Sequence, residues 1–215
     1  MPLPKPAATA LARQPATRRQ PLQQRSRERM DLILSIAGQL IAERGSGPLK
    51  MSEIAELAGM SIGSLYRYFP DKRAIIRTFA EGHAAECLRC VTEALTPVRS
   101  KAELHAAFAA LIDEYHGLLQ DKPLMRDISL GMRADKDLAE IELAASKACG
   151  AVLAETVRRV HRQANVKKVD AVSFLVWQLG EETMRLALSS KRSEATLLVE
   201  AYKRMSLRAI EPPWI

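Results

Sequence analysis

Little in this 215-residue sequence suits strands, disulfides or a membrane. The only cysteines are Cys87, Cys90 and Cys149, too few and too unevenly placed for a disulfide framework, and their scarcity fits a protein of the reducing cytoplasm. Cys87 and Cys90 form a Cys-x-x-Cys within a helical pattern, with no second Cys or His pair to complete a tetrahedral zinc site. Two small buried helix residues is a simpler account of them than a redox switch. Aromatics make up 5% of the chain and glycines number 10. The β-branched alternation of strands is scarce too, which leaves a chain rich in Ala, Leu, Arg and Glu and an all-α fold as the expectation. No stretch approaches the ~20 apolar residues of a membrane span, and the N-terminus lacks the apolar core of a signal peptide. Gly-x-Ser-x-Gly, a phosphate loop, paired carboxylates and a metal-ligand cluster are all missing, so no catalytic residue, cofactor or metal is expected, and no enzyme activity. His105 and His116 are eleven residues apart, ~16 Å along a helix, too far to share one ion. His83 and His161 have no cluster around them in the sequence.

What is present is charge, unevenly spread. The formal net charge is +7, and residues 1–29 carry Lys5, Arg13, Arg18, Arg19, Arg25, Arg27 and Arg29 against Glu28 alone. Beyond residue 80 basic and acidic side chains balance. A positive field gathered at one end suits a polyanion there, nucleic acid above all, with water or protein facing the rest.

Residues 1–25 contain Pro2, Pro4, Pro6, Pro15 and Pro21 among Ala, Gln, Thr and Arg, a composition predicting a flexible basic arm. Ser26 is then placed to cap a helix whose apolar residues Met30, Ile33, Ile36, Ala37, Leu40 and Ile41 recur at three and four, with Gly45 as its stop. Two short helices follow, Met51 to Ala58 and Ile62 to Tyr68, joined by a turn in which Gly59 takes the left-handed position and Ser61 caps. Asp71 opens a long helix that ends near Leu95 before Pro97, and Ser100 with Glu103 forms a capping box for a helix to about Leu119. Further helices are predicted from Pro123 to Arg133, from Leu138 to about Gln163 behind Asp137, from Lys168 to Ser190, and from Glu194 to Ala209 behind Ser193. That gives nine helices, divided into the arm, a DNA-binding unit over 26–72 and a helical domain over 73–215.

The segment 51–72, MSEIAELAGMSIGSLYRYFPDK, carries the functional signal. Ile54, Leu57 and Ala58 face one way on the first short helix, and Leu65 and Phe69 face back from the second. Helices this short need a third partner, which the Met30–Ile41 stripe supplies, giving a three-helix unit of helix-turn-helix type. Ile62, Gly63, Ser64 and Arg67 lie on the outward, N-terminal side of the second helix, where small residues let a backbone approach base edges in a major groove. Tyr66, Tyr68 and Lys72 are suited to phosphates.

The run AELAGMSIGSLYRYFPDK resembles the signature of the TetR family of bacterial regulators, with the likeness extending over residues 28 to 80 and tightest at 53 to 72. The Tyr-x-Tyr-Phe-x-x-Lys sequence directly after the second helix is what makes it specific. The resemblance implies that Ile62 to Tyr68 is a recognition helix, with Ile62, Gly63, Ser64 and Arg67 nearest bases and Tyr66, Tyr68 and Lys72 on phosphates. Where the family often has Thr or Ser before the preceding helix this chain has Lys50, which would replace the cap by a charge contact.

The resemblance also implies a homodimer on double-stranded operator DNA, a small organic effector bound in the C-terminal domain, and repression released by that effector, or activation by it, which the residues do not decide. Val172, Leu175, Val176, Leu179 and Leu186 on one helix and Leu197, Leu198, Ala201 and Met205 on the next form apolar stripes suited to a dimer interface, with plain intrachain core as the alternative. For the effector, His105, Phe108, Ile112, Tyr115 and His116 share one side of a helix as aromatic bodies with polar tips, the mixture organic ligands meet, with Met125, Ile128, Met132 and Trp177 as additions.

Overall fold

The computed structural model describes residues 19–132, 135–213 and 215. Among them are nine helices and no strand: α1 (Arg19–Arg44), α2 (Met51–Leu57), α3 (Ile62–Tyr66), α4 (Lys72–Leu95), α5 (Lys101–Asp121), α6 (Pro123–Gly131), α7 (Lys136–Val160), α8 (Val166–Ser189) and α9 (Arg192–Ala209). The all-α expectation holds. Of the predicted arm, residues 1–18 lie outside the described residues, whereas from Arg19 onward the chain is already helical. Ser26 therefore lies inside α1 rather than capping it. Pro21 does not obstruct this start, because it stands at the third helical position, where a backbone N–H has no acceptor within the helix.

The turns follow the sequence closely. Gly45 ends α1 at φ 78 and Gly59 turns the chain between α2 and α3 at φ 60, conformations that cost a residue with a Cβ. Ser61 caps α3 by accepting from the Ser64 amide at 3.2 Å. Asp71 caps α4 from the Ala74 amide at 2.9 Å, and the Ser100–Glu103 capping box is complete. Ile33, Ala37, Ile41, Ile54, Leu65 and Phe69 are buried together, and Ile75 from the first turn of α4 completes their core. Leu57 departs from expectation, being 58% exposed. The inward face of α2 is Ile54, Ala55 and Ala58, and Leu57 lies about 100° round the helix from the middle of that face.

The C-terminal domain packs α4, α5, α7, α8 and α9 around Leu95, Leu104, Phe108, Leu119, Leu153, Val157, Val169 and Met184. Helix α6 sits between the two domains, with Ile128 and Met132 joining Ala80 of α4 and Leu138 of α7 in a small separate cluster. It also reaches the first domain: Leu124 lies over Gly38 of α1, and the Asp127 carboxylate accepts from the Ser46 amide at 3.1 Å. The far end of α4 is tied down differently. The Arg159 guanidinium of α7 donates to the carbonyls of Leu95, Thr96 and Val98 at 3.3, 3.1 and 2.9 Å, acceptors at and just past the helix end that it shares with Thr156 and Arg99.

Helices α7 and α8 meet almost backbone to backbone. A Cβ at Gly150 would stand 2.9 Å from the Cα of Phe174, so the two helices approach as closely as they do only because Gly150 has none. Gly117 of α5 has nothing within 4 Å of the same position. The pair separates packing from helix propensity. Gly150→Ala is expected to cost roughly 1–3 kcal/mol by forcing α7 from α8, whereas Gly117→Ala should add about 0.5–1 kcal/mol by stiffening the unfolded chain. Thermal denaturation checks both, at about 2–4 °C of Tm per kcal/mol for a chain of this size, and a stabilised Gly150→Ala variant would contradict the close contact.

Candidate functional site

Two places bring the sequence-selected residues together, one on each domain. On the first, α3 is only five residues long and is held by the fully buried Leu65 on one side. Its other side is open. Ile62, Gly63 and Arg67 are exposed, as is Tyr66 at 49%. Ser64 is half-buried, and its Oγ accepts from the Ser61 hydroxyl at 2.9 Å, which leaves the Ser64 proton uncommitted. Tyr68 is half-buried with its ring against the three-helix core. Lys72 has a use within the fold as well, since its Nζ donates to the Gly47 carbonyl at 2.7 Å and ties the start of α4 to the α1–α2 turn. Lys50 is exposed and stands at the N-cap of α2 without a side-chain cap bond, so the departure from Ser or Thr leaves that helix start uncapped.

The second place is a cavity of about 220 Å³ among α4, α5, α8 and α9. Of the residues selected for a ligand, Ile112, Tyr115 and Trp177 line it. A smaller void of about 30 Å³ continues behind Tyr115 and Trp177, and Met132 reaches that one. The others go elsewhere. Phe108 is fully buried core and Ile128 belongs to the α6 cluster. Met125 faces a groove between α1 and α6, His116 pairs with Gln120 at 3.1 Å, and His105 lies against Glu211 near the chain's end. Helix α5 thus splits the five-residue face proposed for it: its first turns meet α9 and the C-terminal tail, and only the stretch around Ile112 and Tyr115 opens on empty space.

The polar groups of the cavity form a chain that the sequence did not single out. Tyr115 stacks on His83 with ring centroids 5.8 Å apart, stands 3.3 Å from His83 Nε2, and donates its hydroxyl to Glu181 Oε2 at 3.0 Å. Cys87 Sγ lies 3.6 Å from the same His83 nitrogen. Burial lowers the His83 pKa and keeps the ring neutral, and raises the thiol of Cys87 well above its ordinary range, so it is no nucleophile. Burial also pushes Glu181 up to about 7, helped by the charge of Glu142 and opposed by the Tyr115 hydrogen bond and Arg185. Its partial accessibility is to the cavity it lines. Arg185 is nearby but engaged: it bonds Glu142 at 2.7 and 3.1 Å and Glu182 at 2.6 Å. Spacing offered one clue to this chain. Trp177 and Glu181 are one helical turn apart, as are His83 and Cys87, so each pair shares a helix face.

The outward stripe is equally plain. Leu175, Leu179 and Leu186 of α8 are exposed, as are Leu197 at 70% and Met205 at 67% on α9. Val172, Leu198 and Ala201 are half-buried beside them. Val176 is buried inside the domain, and its carbonyl accepts the Tyr202 hydroxyl at 2.7 Å.

The described residues combine an N-terminal helix-turn-helix with a cavity-bearing helical domain, an architecture of the helix-turn-helix regulator class. Residues 33–78 match the family model described as bacterial regulatory proteins of the tetR family, and residues 102–213 match that of the tetracyclin repressor-like C-terminal domain. The chain belongs to the TetR family of transcriptional regulators. Among solved structures it is similar to a TetR-family regulator from Streptomyces coelicolor, at 21% identity and TM-score 0.63 over 85% of this chain and 96% of that one. RolR in complex with resorcinol matches at 16% identity and TM-score 0.62, over 90% and 98%. FadR from Bacillus subtilis in complex with stearoyl-CoA matches at 19% identity and TM-score 0.58, over 86% and 99%. No curated protein is similar to the chain at the level of sequence. No described helix is long and apolar enough to cross a membrane, and no group of described residues is arranged to hold a metal ion.

The Glu181 carboxyl gives stability a definite pH dependence. Folded, it keeps its proton to about pH 7, against an ordinary value of 4.5. Between these values the folded chain binds more protons than the unfolded one, so its contribution is complete below about pH 4.5 and is lost as pH rises through 7. Glu181→Gln preserves an acceptor for Tyr115 and removes the titration. Its Tm should exceed that of the wild type at about pH 8 and match it at about pH 5, and equal melting at both would place the carboxyl in water.

Proposed function

We propose that this chain is a repressor that binds a palindromic operator as a homodimer and is released by a small organic effector. The observation that carries the proposal is the continuity of α4. Its first residue, Lys72, is bonded to the α1–α2 turn, and one helix face further on it presents His83 and Cys87 to the cavity. A ligand that displaces His83 therefore acts on the same rigid element that positions α3. The other route runs through α6, whose Met132 borders the smaller void while Asp127 holds Ser46. Two copies joined along the exposed α8–α9 stripe would present two α3 helices, which must lie ~34 Å apart to enter successive major grooves. An effector then acts by changing that separation.

Ile62, Gly63, Ser64 and Arg67 are assigned to base edges, and Lys50, Tyr66, Tyr68 and Lys72 to phosphates. The effector is small. An apolar cavity of ~150 Å³ accommodates benzene, so 220 Å³ suits a ligand of the size RolR binds, resorcinol, and not the long-chain thioester seen in FadR.

Gel shifts with the DNA flanking its own gene should show a specific complex. Tyr66→Ala with Lys72→Ala, in a variant with unchanged helix content, should weaken that complex by at least tenfold, a loss of about 1.4 kcal/mol. Leu197→Glu with Met205→Glu should yield a monomer by sedimentation and abolish tight binding. Operator occupancy unaltered by the first pair would overturn the assignment of the DNA face, and a dimeric second variant that of the interface.

A further inference from the structure

The cavity has carboxyls in its wall and no permanent positive charge. Its lining contains no Lys or Arg, whereas Glu181 stands in its wall and Glu86 and Glu114 approach from its exposed side. Glu86 is paired with Arg89. Glu181 is not paired: Oε2 accepts from Tyr115 and Oε1 takes no hydrogen bond from the chain. The nearest cation, Arg185, has two other carboxylates. A carboxyl enclosed by apolar walls without a counter-charge is costly to the fold, which is what a site looks like when its complement is supplied from outside. The rest of the wall suits the same complement. Tyr115, Trp177 and Tyr202 bring aromatic rings to the lining, and the Tyr202 hydroxyl is spent on the Val176 carbonyl, so its ring rather than its hydroxyl is what remains to meet a ligand. Aromatic faces attract cations, more strongly where water is excluded. An anion would add a second negative charge beside the carboxyl, and a neutral ligand could hydrogen-bond Oε1 but would bring no counter-charge, whereas a cation both bonds the carboxyl and favours its ionised form.

We propose that the effector of this cavity is a small organic cation, an arylalkyl ammonium whose charged head meets Glu181 Oε1 and whose ring lies among Tyr115, Trp177 and Tyr202. The proposal deepens the effector reading above and rests on it. At about 220 Å³, the space admits one ring and a short charged arm, given that ~150 Å³ holds a benzene. Glu114 at the exposed side draws such a cation inward, and it repels acids of the same size.

Three probes of one shape separate charge from fit: phenethylamine, 2-phenylethanol and phenylacetate, titrated by calorimetry into the full-length protein with no DNA present. Phenethylamine is expected to bind at least tenfold more tightly than the alcohol, and phenylacetate not measurably. In Glu181→Gln the amine should lose about tenfold while the alcohol is unchanged, the latter showing that the cavity is intact. Equal or tighter binding of the alcohol or the acid by the wild-type protein, or no saturable binding of the amine at millimolar concentration, would overturn the proposal. These outcomes need no folded variant. An amine preference that survives Glu181→Gln would overturn the assignment to that carboxyl. Gel shifts with the amine then test release separately: binding without release leaves the cation site standing and removes the repressor-release mechanism.

Discussion

The contact between α7 and α8 at Gly150 sets the geometry of the whole second domain. With the two backbones this close, α8 cannot rotate, and its two faces are assigned at once. Trp177, Gly180, Glu181 and Met184 turn to the cavity, while Leu175, Leu179 and Leu186 turn outward. Gly180 repeats the device on the other side, since a Cβ there would stand 2.8 Å from the Tyr202 hydroxyl of α9. The buried Arg185–Glu142 pair fixes the register of the same two helices with charge. Such a pair adds little net stability, but breaking one half strands the other. A cavity wall and an exposed apolar stripe are thus opposite sides of one helix held by glycine contacts.

The first domain is the reverse case, a structure too small to stand without its neighbours. A five-residue α3 has no helical stability of its own, and its place depends on Leu65 in the core, the Ser61 cap and the turn at Gly59. Its core is completed by Ile75 of α4, so the helix that begins the second domain is also structural to the first. Any displacement of α4 is consequently felt by α3, through packing as well as through the Lys72–Gly47 bond.

Much of this was legible in the sequence, because the positions that matter most for the path of the chain are local. Gly45, Gly59, Ser61, Asp71 and the Ser100–Glu103 box each act within four residues, and each is used as its chemistry implies. Ser26 misled because a cap residue inside a good helix former is indistinguishable from a cap until the residues before it are seen to be helical. At α7, Asp135 caps and the predicted Asp137 falls in the first turn, a choice between two equivalent acids. The cavity was only half legible. Ile112, Tyr115 and Trp177 were found by periodicity, but a stripe gives the direction of a side chain and not what lies opposite. His105 shares the stripe of Tyr115, yet meets Glu211 of the tail. Glu181 and His83 come from helices nearly a hundred residues apart in the chain, and their meeting through Tyr115 depends on how α4, α5 and α8 cross, which no local pattern encodes.

The guanidinium of Arg159 over the last carbonyls of α4 makes that end a fulcrum. A rod of 24 residues is about 36 Å long, and with its C-terminal end anchored a tilt of about 5° moves the opposite end by roughly 3 Å. Half that travel is enough to take a side chain out of hydrogen-bonding reach of a base. A displacement of under 2 Å at His83, near the middle of the rod, is geared up by the distance from the pivot, and in the proposed repressor that gearing is what would let a molecule with few atoms act on a duplex many times its size.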